Sequence, residues 1–373
     1  MSTNPMQPEQ NAPMRERLHS LRHGIAAACC DAYCSLSPPA NAYLTGFRGS
    51  ASALIVTASE AHFLCDFRYT EQARGQVQNY AVIEVAGTLE TRVGEHLRAL
   101  DVQVCGFDPA VTTVHQRTLI EAAFRGDAAR LKPLPGLVAG LRLRKSPDEI
   151  EQIRAASNLA EAALHDVLAA LEEGMPEREC AARLEYEFKK RGAQGAAFDS
   201  IALFGPRSSL PHGAPAGKTL ERGDIVLIDC GCTLEGYCSD LTRTHVFGTM
   251  PGAWFEEVYA LTLSAQEAAL AAVRPGRSCR ELDAIARNII SEAGHGEHFG
   301  HGLGHGVGIE VHEAPRLNKD ADSVLDVGMV VTIEPGIYLP GRGGVRIEDL
   351  LVVTKTGCEV LTQSSKELKV LGV

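Results

Sequence analysis

His301-Gly-Leu-Gly-His305-Gly-Val-Gly-Ile-Glu-Val-His312-Glu-Ala-Pro-Arg316 is the most informative segment of the chain. It carries three imidazoles within twelve residues. Glycines at 302, 304, 306 and 308 let the backbone pass close to whatever the rings hold. So many glycines exclude a helix. Imidazole is a common metal ligand, and an acid or base near neutral pH. The competing reading is a glycine-rich surface loop that happens to contain histidine.

The surrounding sequence decides between the two. Asp229 ends the apolar β run Ile225-Val-Leu-Ile228. Asp240 lies in Tyr237-Cys-Ser-Asp-Leu-Thr-Arg-Thr244, the partner strand of a hairpin turning at Glu235-Gly236. Glu334 follows the apolar run Val330-Val-Thr-Ile333, and Glu348 is read inside the strand Gly344-Val-Arg-Ile-Glu-Asp-Leu-Leu-Val352. Carboxylates embedded in β runs must be paired, hydrogen-bonded or metal-bound, or they protonate. The alternative to metal is a set of unrelated strand-end carboxylates that face water or pair with Arg243 and Arg346. Carboxylate-rich ligation with one imidazole, His305, favours Mn, Co, Fe or Zn over a thiolate site. Four carboxylates are balanced better by two divalent ions than by one. Bridging carboxylates hold such ions roughly 3.5–4 Å apart, with a water or hydroxide between them as nucleophile.

These segments resemble the pita-bread metallopeptidases, a family that includes methionine aminopeptidases, aminopeptidase P and prolidase. The resemblance rests on Ile-Asp229-Cys-Gly, Ser-Asp240-Leu-Thr-Arg-Thr, Gly-His301-Gly-Leu-Gly-His305-Gly-Val-Gly, Thr-Ile-Glu334-Pro-Gly and Val-Arg-Ile-Glu348-Asp. It implies Asp229, Asp240, His305, Glu334 and Glu348 as ligands of two divalent ions, Mn foremost, with Co, Zn or Fe as the other choices. It makes Glu334 a proton shuttle as well. His212, in Ser-Leu-Pro-His-Gly, matches the family's histidine near the leaving amine, His312 the one steadying the tetrahedral intermediate, and His301 the one beside the substrate. Arg316 matches an arginine linked in prolidases to the substrate carboxylate. Arg346 is read as orienting ligands from behind. His245, His295 and His298 receive no role.

Tyr43-Leu-Thr-Gly-Phe-Arg-Gly-Ser50 and Asp66-Phe-Arg-Tyr-Thr-Glu-Gln-Ala73 resemble the creatinase-type amino domain. Methionine aminopeptidase lacks that domain, so the resemblance implies Xaa-Pro hydrolysis of the prolidase kind. The alternatives are aminopeptidase P activity on longer Xaa-Pro peptides, or a metal-free pseudoenzyme or creatinase-like relative. A homodimer is expected only through the family.

The rest of the chain is consistent with two domains. Its 373 residues exceed one ordinary domain, and 45% hydrophobic content supplies a full core. Residues 1–13 read as a disordered leader, 14–140 as an α/β domain with a mixed or parallel sheet, and 141–373 as an α+β catalytic domain. In the first domain a helix is expected from Met14 to about Tyr33, then a turn-rich connector over Asn41–Ser50, then strands at Ala53–Thr57 and His62–Asp66. Ser146-Pro-Asp-Glu149 should open a long helix through a capping box. In the second domain, helix pairs followed by strands suggest a sheet covered by helices on one face.

A net charge of −11 argues against a nucleic-acid surface. No apolar run is long enough to span a membrane, and the polar N-terminus has no signal-peptide core. Eleven cysteines without regular spacing are not a disulfide framework. The chain therefore reads as cytoplasmic. Cys230, Cys232 and Cys238 could suggest a zinc–thiolate cluster, but the first two share strand parity opposite Asp229 and so read as core.

Overall fold

The computed structural model describes residues 12–124 and 130–372. The chain divides into one unit reaching to Arg142 and another starting at Leu143. Of the leader expected over 1–13, residues 1–11 lie outside the described residues, and Ala12 and Pro13 open the first helix.

In the first unit, α1 (Ala12–Ala27) ends six residues short of the expected Tyr33. Cys29 turns left-handed at φ 52°, and the chain enters β1 (Ala32–Ser35), a strand the sequence did not announce. β1 lies in the middle of the sheet and all four of its residues are buried. A strand covered on both faces shows no alternation to read. The expected connector begins inside α2 (Pro38–Thr45), which Gly46 closes at φ 75°. There follow β2 (Ala53–Thr57), β3 (Ala61–Cys65), α3 (Phe67–Gln76), β4 (Ala81–Glu84), α4 (Leu89–Ala99), β5 (Cys105–Phe107), α5 (Val114–Phe124), β6 (Leu131–Pro133) and α6 (Leu137–Arg142). The sheet order is β4-β3-β2-β1-β5-β6, with β1, β2 and β3 antiparallel and the other pairings parallel. Val93, Leu97, Ile120 and Phe124 from α4 and α5 close the core over Ile55, Leu64 and Cys105.

The second unit opens with α7 (Pro147–Ala169), and the expected capping box is present. Glu149 N donates to Ser146 Oγ at 3.3 Å, and Ser146 N to Glu149 Oε2 at 3.0 Å. Then come α8 (Glu177–Lys190), β7 (Gly195–Ala196), β8 (Ile201–Phe204), β9 (Ile225–Cys230), β10 (Cys232–Leu234), β11 (Tyr237–Cys238) and β12 (Leu241–Phe247). After α9 (Ala253–Ala271) and α10 (Cys279–Glu292) the chain is strand-rich: β13 (Gly304–Gly306), β14 (Glu313–Leu317), β15 (Val330–Ile333), β16 (Gly336–Leu339), β17 (Gly343–Arg346), β18 (Asp349–Val353), β19 (Cys358–Val360) and β20 (Val370–Leu371).

The helices do not cover one sheet, as expected, but two. Leu164 of α7 and Leu184 and Phe188 of α8 pack on Phe204, Val226 and Ile228 of the sheet β20-β12-β9-β8. Phe255 of α9 and Leu282 and Ile290 of α10 pack on Val331, Ile333 and Leu351 of the sheet β14-β13-β15-β18-β19. β17 lies against β9 and β12, and β18 against β12, so the two halves meet along these strands.

Cys230 and Cys232 fill the first core, Cys238 a smaller cluster, and all eleven cysteines are unpaired. Among the described residues no thiol joins a group able to hold a metal ion.

Two glycines of the opening stretch, Gly304 and Gly306, leave room for the backbone of neighbouring strands. A Cβ on Gly304 would stand 2.1 Å from Thr332 O, and one on Gly306 2.3 Å from Ala314 O. Gly304→Ala is therefore expected to force β13 off β15 and cost about 1–3 kcal/mol. The melting temperature of the metal-free protein reads this, and an unchanged value would show that the strands have room to part.

Candidate metal centre

Each acidic residue of the site stands at or near the end of a ladder. Asp229 is the fifth residue of β9 and faces Thr242 of β12. Asp240 immediately precedes β12, Glu334 immediately follows β15, and Glu348 lies in the break between β17 and β18, not inside a strand as expected. Within a ladder a side chain faces one side of one sheet. At a break the chain passes between sheets, and the carboxylate is free to point into the gap. Backbone bonds hold these breaks: Glu334 N donates to Leu303 O at 2.8 Å, and Glu348 N to Thr242 O at 3.2 Å.

Ligand atoms of Asp240, His305 and Glu348 lie within 4.8 Å of one another. His305 Nε2 is 3.6 Å from Asp240 Oδ2 and 3.3 Å from Glu334 Oε1. His305 Nδ1 donates to Gly306 O at 3.1 Å, which leaves Nε2 to face the carboxylates. Thr242 Oγ1 donates to Glu348 Oε2 at 2.8 Å, and Thr332 Oγ1 to Glu334 Oε1 at 3.1 Å. Arg346 Nη2 holds Asp229 Oδ2 at 2.6 Å, while Asp229 Oδ1 is buried with no hydrogen-bond partner.

The electrostatics are those of an anionic cage. Burial, then the charges of Glu348, Asp229 and Glu334, pushes Asp240 well above the usual carboxylate range. Burial, then Glu334 and Asp229, does the same to Glu348. Burial alone would raise Glu334, but the hydrogen bond and charge of His305 outweigh it and draw it down to about 2. Conversely, His305 is raised because Glu334 outweighs burial. Crowded carboxylates with an orphaned oxygen fit hard or borderline divalent cations, which supply the missing positive charge.

His301 is wired into the structure. Its Nδ1 donates to Gly302 O at 2.8 Å and its Nε2 meets Tyr338 Oη at 2.9 Å. Arg346 Nη1 donates to the same phenol at 2.8 Å, so the phenol accepts from arginine and donates to imidazole. Both ring nitrogens of His301 are thus engaged, and burial lowers its pKa. His312 is exposed and stacks edge-on against His305 at 4.3 Å; burial, then His305, lowers its pKa. Behind it, the buried pair Lys145–Glu313, at 3.3 Å, anchors the start of β14. His212 is exposed. The preceding residue, Pro211, gives its carbonyl to Arg346 at 3.2 Å. Arg316 is exposed on β14, directly across the ladder from His305. Tyr338, Thr242 and Thr332 were not singled out in the sequence. Nothing local marks them: Tyr338 matters through His301 and Arg346, Thr242 through Glu348 and Arg346, and Thr332 through Glu334 and the backbone of His305.

Comparison with known proteins follows the same division of the chain. The profile of metallopeptidase family M24 matches residues 151–355, and that of the creatinase/prolidase N-terminal domain matches residues 17–144. An Xaa-Pro dipeptidase of Pyrococcus horikoshii is 46% identical over 65% of this chain and 69% of its own. A solved Xaa-Pro dipeptidase from Bacillus anthracis superimposes with a TM-score of 0.92 at 39% identity, over 96% of this chain and all (100%) of that one. An X-Pro aminopeptidase structure from Thermotoga maritima gives 0.86 at 36% identity, over 94% of this chain and 100% of its own.

Proposed function

Because the chain belongs to metallopeptidase family M24, with a creatinase/prolidase N-terminal domain ahead of a pita-bread catalytic domain, we propose that it is a metal-dependent hydrolase of Xaa-Pro peptide bonds. The observation that carries this is the convergence of Asp240, His305 and Glu348, with Glu334 against His305, in a chain of that family. Asp229, Asp240, His305, Glu334 and Glu348 would hold two divalent ions, Mn in the first place. Such ions supply a nucleophilic water and polarise the scissile carbonyl.

The chain's own side chains do the rest. Glu334, kept ionised by His305, takes a proton and passes it to the leaving proline nitrogen. His312, whose pKa is lowered by burial and by His305, offers an N–H to the developing oxyanion. His212 stands by the leaving amine on a loop tied to Arg346. Through Tyr338, Arg346 fixes the ring of His301 while also holding Asp229, so one guanidinium orients a ligand and the substrate-side wall together. The unpaired cysteines suit a reducing cytoplasm, and a homodimer follows the family resemblance.

Chain length of the substrate separates two readings. A dipeptidase must read a free carboxylate just after proline, and exposed Arg316, across the ladder from His305, would grip one. The likeness to an X-Pro aminopeptidase supports action on longer peptides. The test is kcat/KM on an Xaa-Pro dipeptide and an Xaa-Pro-Yaa tripeptide, with protein reconstituted in Mn²⁺. Arg316→Ala is expected to weaken dipeptide hydrolysis by roughly ten- to a hundredfold, tripeptide hydrolysis much less. Equal loss on both would remove Arg316 from length selection and favour the aminopeptidase.

A further inference from the structure

Behind the metal centre lies a second polar network that neither the carboxylate ligands nor the substrate residues use. Arg243 is 1% exposed, and all of its donors are placed. Its Nη2 donates to Asp349 Oδ1 at 2.8 Å and to Ser364 O at 2.7 Å. Its Nη1 donates to Thr242 O at 2.9 Å and to Glu348 O, and its Nε to Ser364 O at 3.3 Å. Asp349 is equally enclosed. Thr362 Oγ1 donates to Oδ1 at 3.1 Å, and Gln266 Nε2 of α9 and Lys366 Nζ reach Oδ2 at 2.9 and 3.0 Å. Lys366 Nζ also donates to Gln266 Oε1 at 3.0 Å, and its carbonyl accepts from Tyr259 Oη at 2.9 Å.

The arrangement has a front and a back. Neighbouring residues of an extended chain point to opposite sides. On the front, Thr242 Oγ1 holds the carboxylate of Glu348. On the back, the next residue of each strand, Arg243 and Asp349, forms a buried ion pair with both side chains at most 2% exposed. The backbone of Glu348 is gripped between them, with its N–H on Thr242 O and its C=O on Arg243 Nη1. From this juxtaposition we infer that the C-terminal segment 362–366 is a working part of the metal centre. Through Ser364 and Lys366 it locks the Arg243–Asp349 pair, and the pair sets the position of Glu348 against Asp240. Arg243, Asp349 and Lys366 are positioning residues, since none touches the reacting atoms.

The inference rests on the proposed role of Glu348 as a ligand, and the test separates the two. Metal-free protein is titrated with Mn²⁺ calorimetrically, with folding followed by circular dichroism and melting temperature. Asp349→Asn keeps the shape but removes the charge that faces Arg243 and Lys366, and should weaken Mn²⁺ binding by about ten- to a hundredfold. Lys366→Met leaves the buried pair whole and loosens only its lock, so it is the variant that survives if Asp349→Asn does not fold. It should weaken Mn²⁺ binding by about three- to fivefold. Glu348→Gln is the control for the ligand itself. Wild-type affinity in folded Lys366→Met, with binding lost in Glu348→Gln, overturns the clamp while leaving the ligand in place. Wild-type affinity in Glu348→Gln overturns the ligand assignment, and with it the clamp. A fall in melting temperature of Lys366→Met without any change in Mn²⁺ affinity also overturns the inference, because the tail would then stabilise the fold alone.

Discussion

Glu334→Gln is expected to lower kcat on an Xaa-Pro dipeptide by at least the roughly 10²–10⁴-fold typical of losing a general base. The substitution preserves shape and one acceptor oxygen, so Thr332 Oγ1, at 3.1 Å, keeps a partner. Two things are lost. An amide takes up no proton, so nothing carries one to the proline nitrogen. The anion 3.3 Å from His305 Nε2 disappears as well, and with it the interaction that raises His305. Metal content by elemental analysis accompanies each rate, because weaker loading would deepen the loss. A variant that retains its metal and a near-normal rate would take Glu334 out of the chemistry.

Removal of metal should abolish hydrolysis, and Mn²⁺ or Co²⁺ should restore it. Recovery should depend steeply on pH, with a sign that follows from the metal-free chain. Asp240, Glu348 and His305 all hold protons more tightly there than the free side chains do. A dication must expel those protons, so its apparent affinity is low on the acid side and rises with pH. Each proton released contributes about tenfold per pH unit. Calorimetry in two buffers of different ionisation heat counts the protons between about pH 6 and 8. Binding that releases no proton and ignores pH would contradict the cage described above. Full activity after exhaustive chelation would contradict the hydrolytic mechanism itself.

What could be read locally was the identity of the donors. A carboxylate after an apolar β run is conspicuous because burying it is costly, and this singled out Asp229 and Glu334. The capping box at Ser146 was legible because its two hydrogen bonds join residues three apart. β1 was not, since a strand buried on both faces has no period and the helix before it ends without a glycine or proline. The four glycines of the histidine stretch were visible, but the strands that two of them leave room for were not. Gly304 and Gly306 make room for Thr332 and Ala314 on adjacent strands, which no spacing within the stretch reveals.

The amino-acid order alone carries the chemistry on offer: five metal-type side chains, their succession, and two domains' worth of core. How those side chains are held becomes visible only once the chain is folded. Arg346 meets Asp229 across 117 positions, Thr242 meets Glu348 across 106, and Lys366 meets Gln266 across 100. Contacts of this kind leave no local period, because each joins segments distant in the chain, the first two where the stretch 346–348 crosses β9 and β12. A single backbone break, as at Glu348, determines which side of the crossing a carboxylate faces.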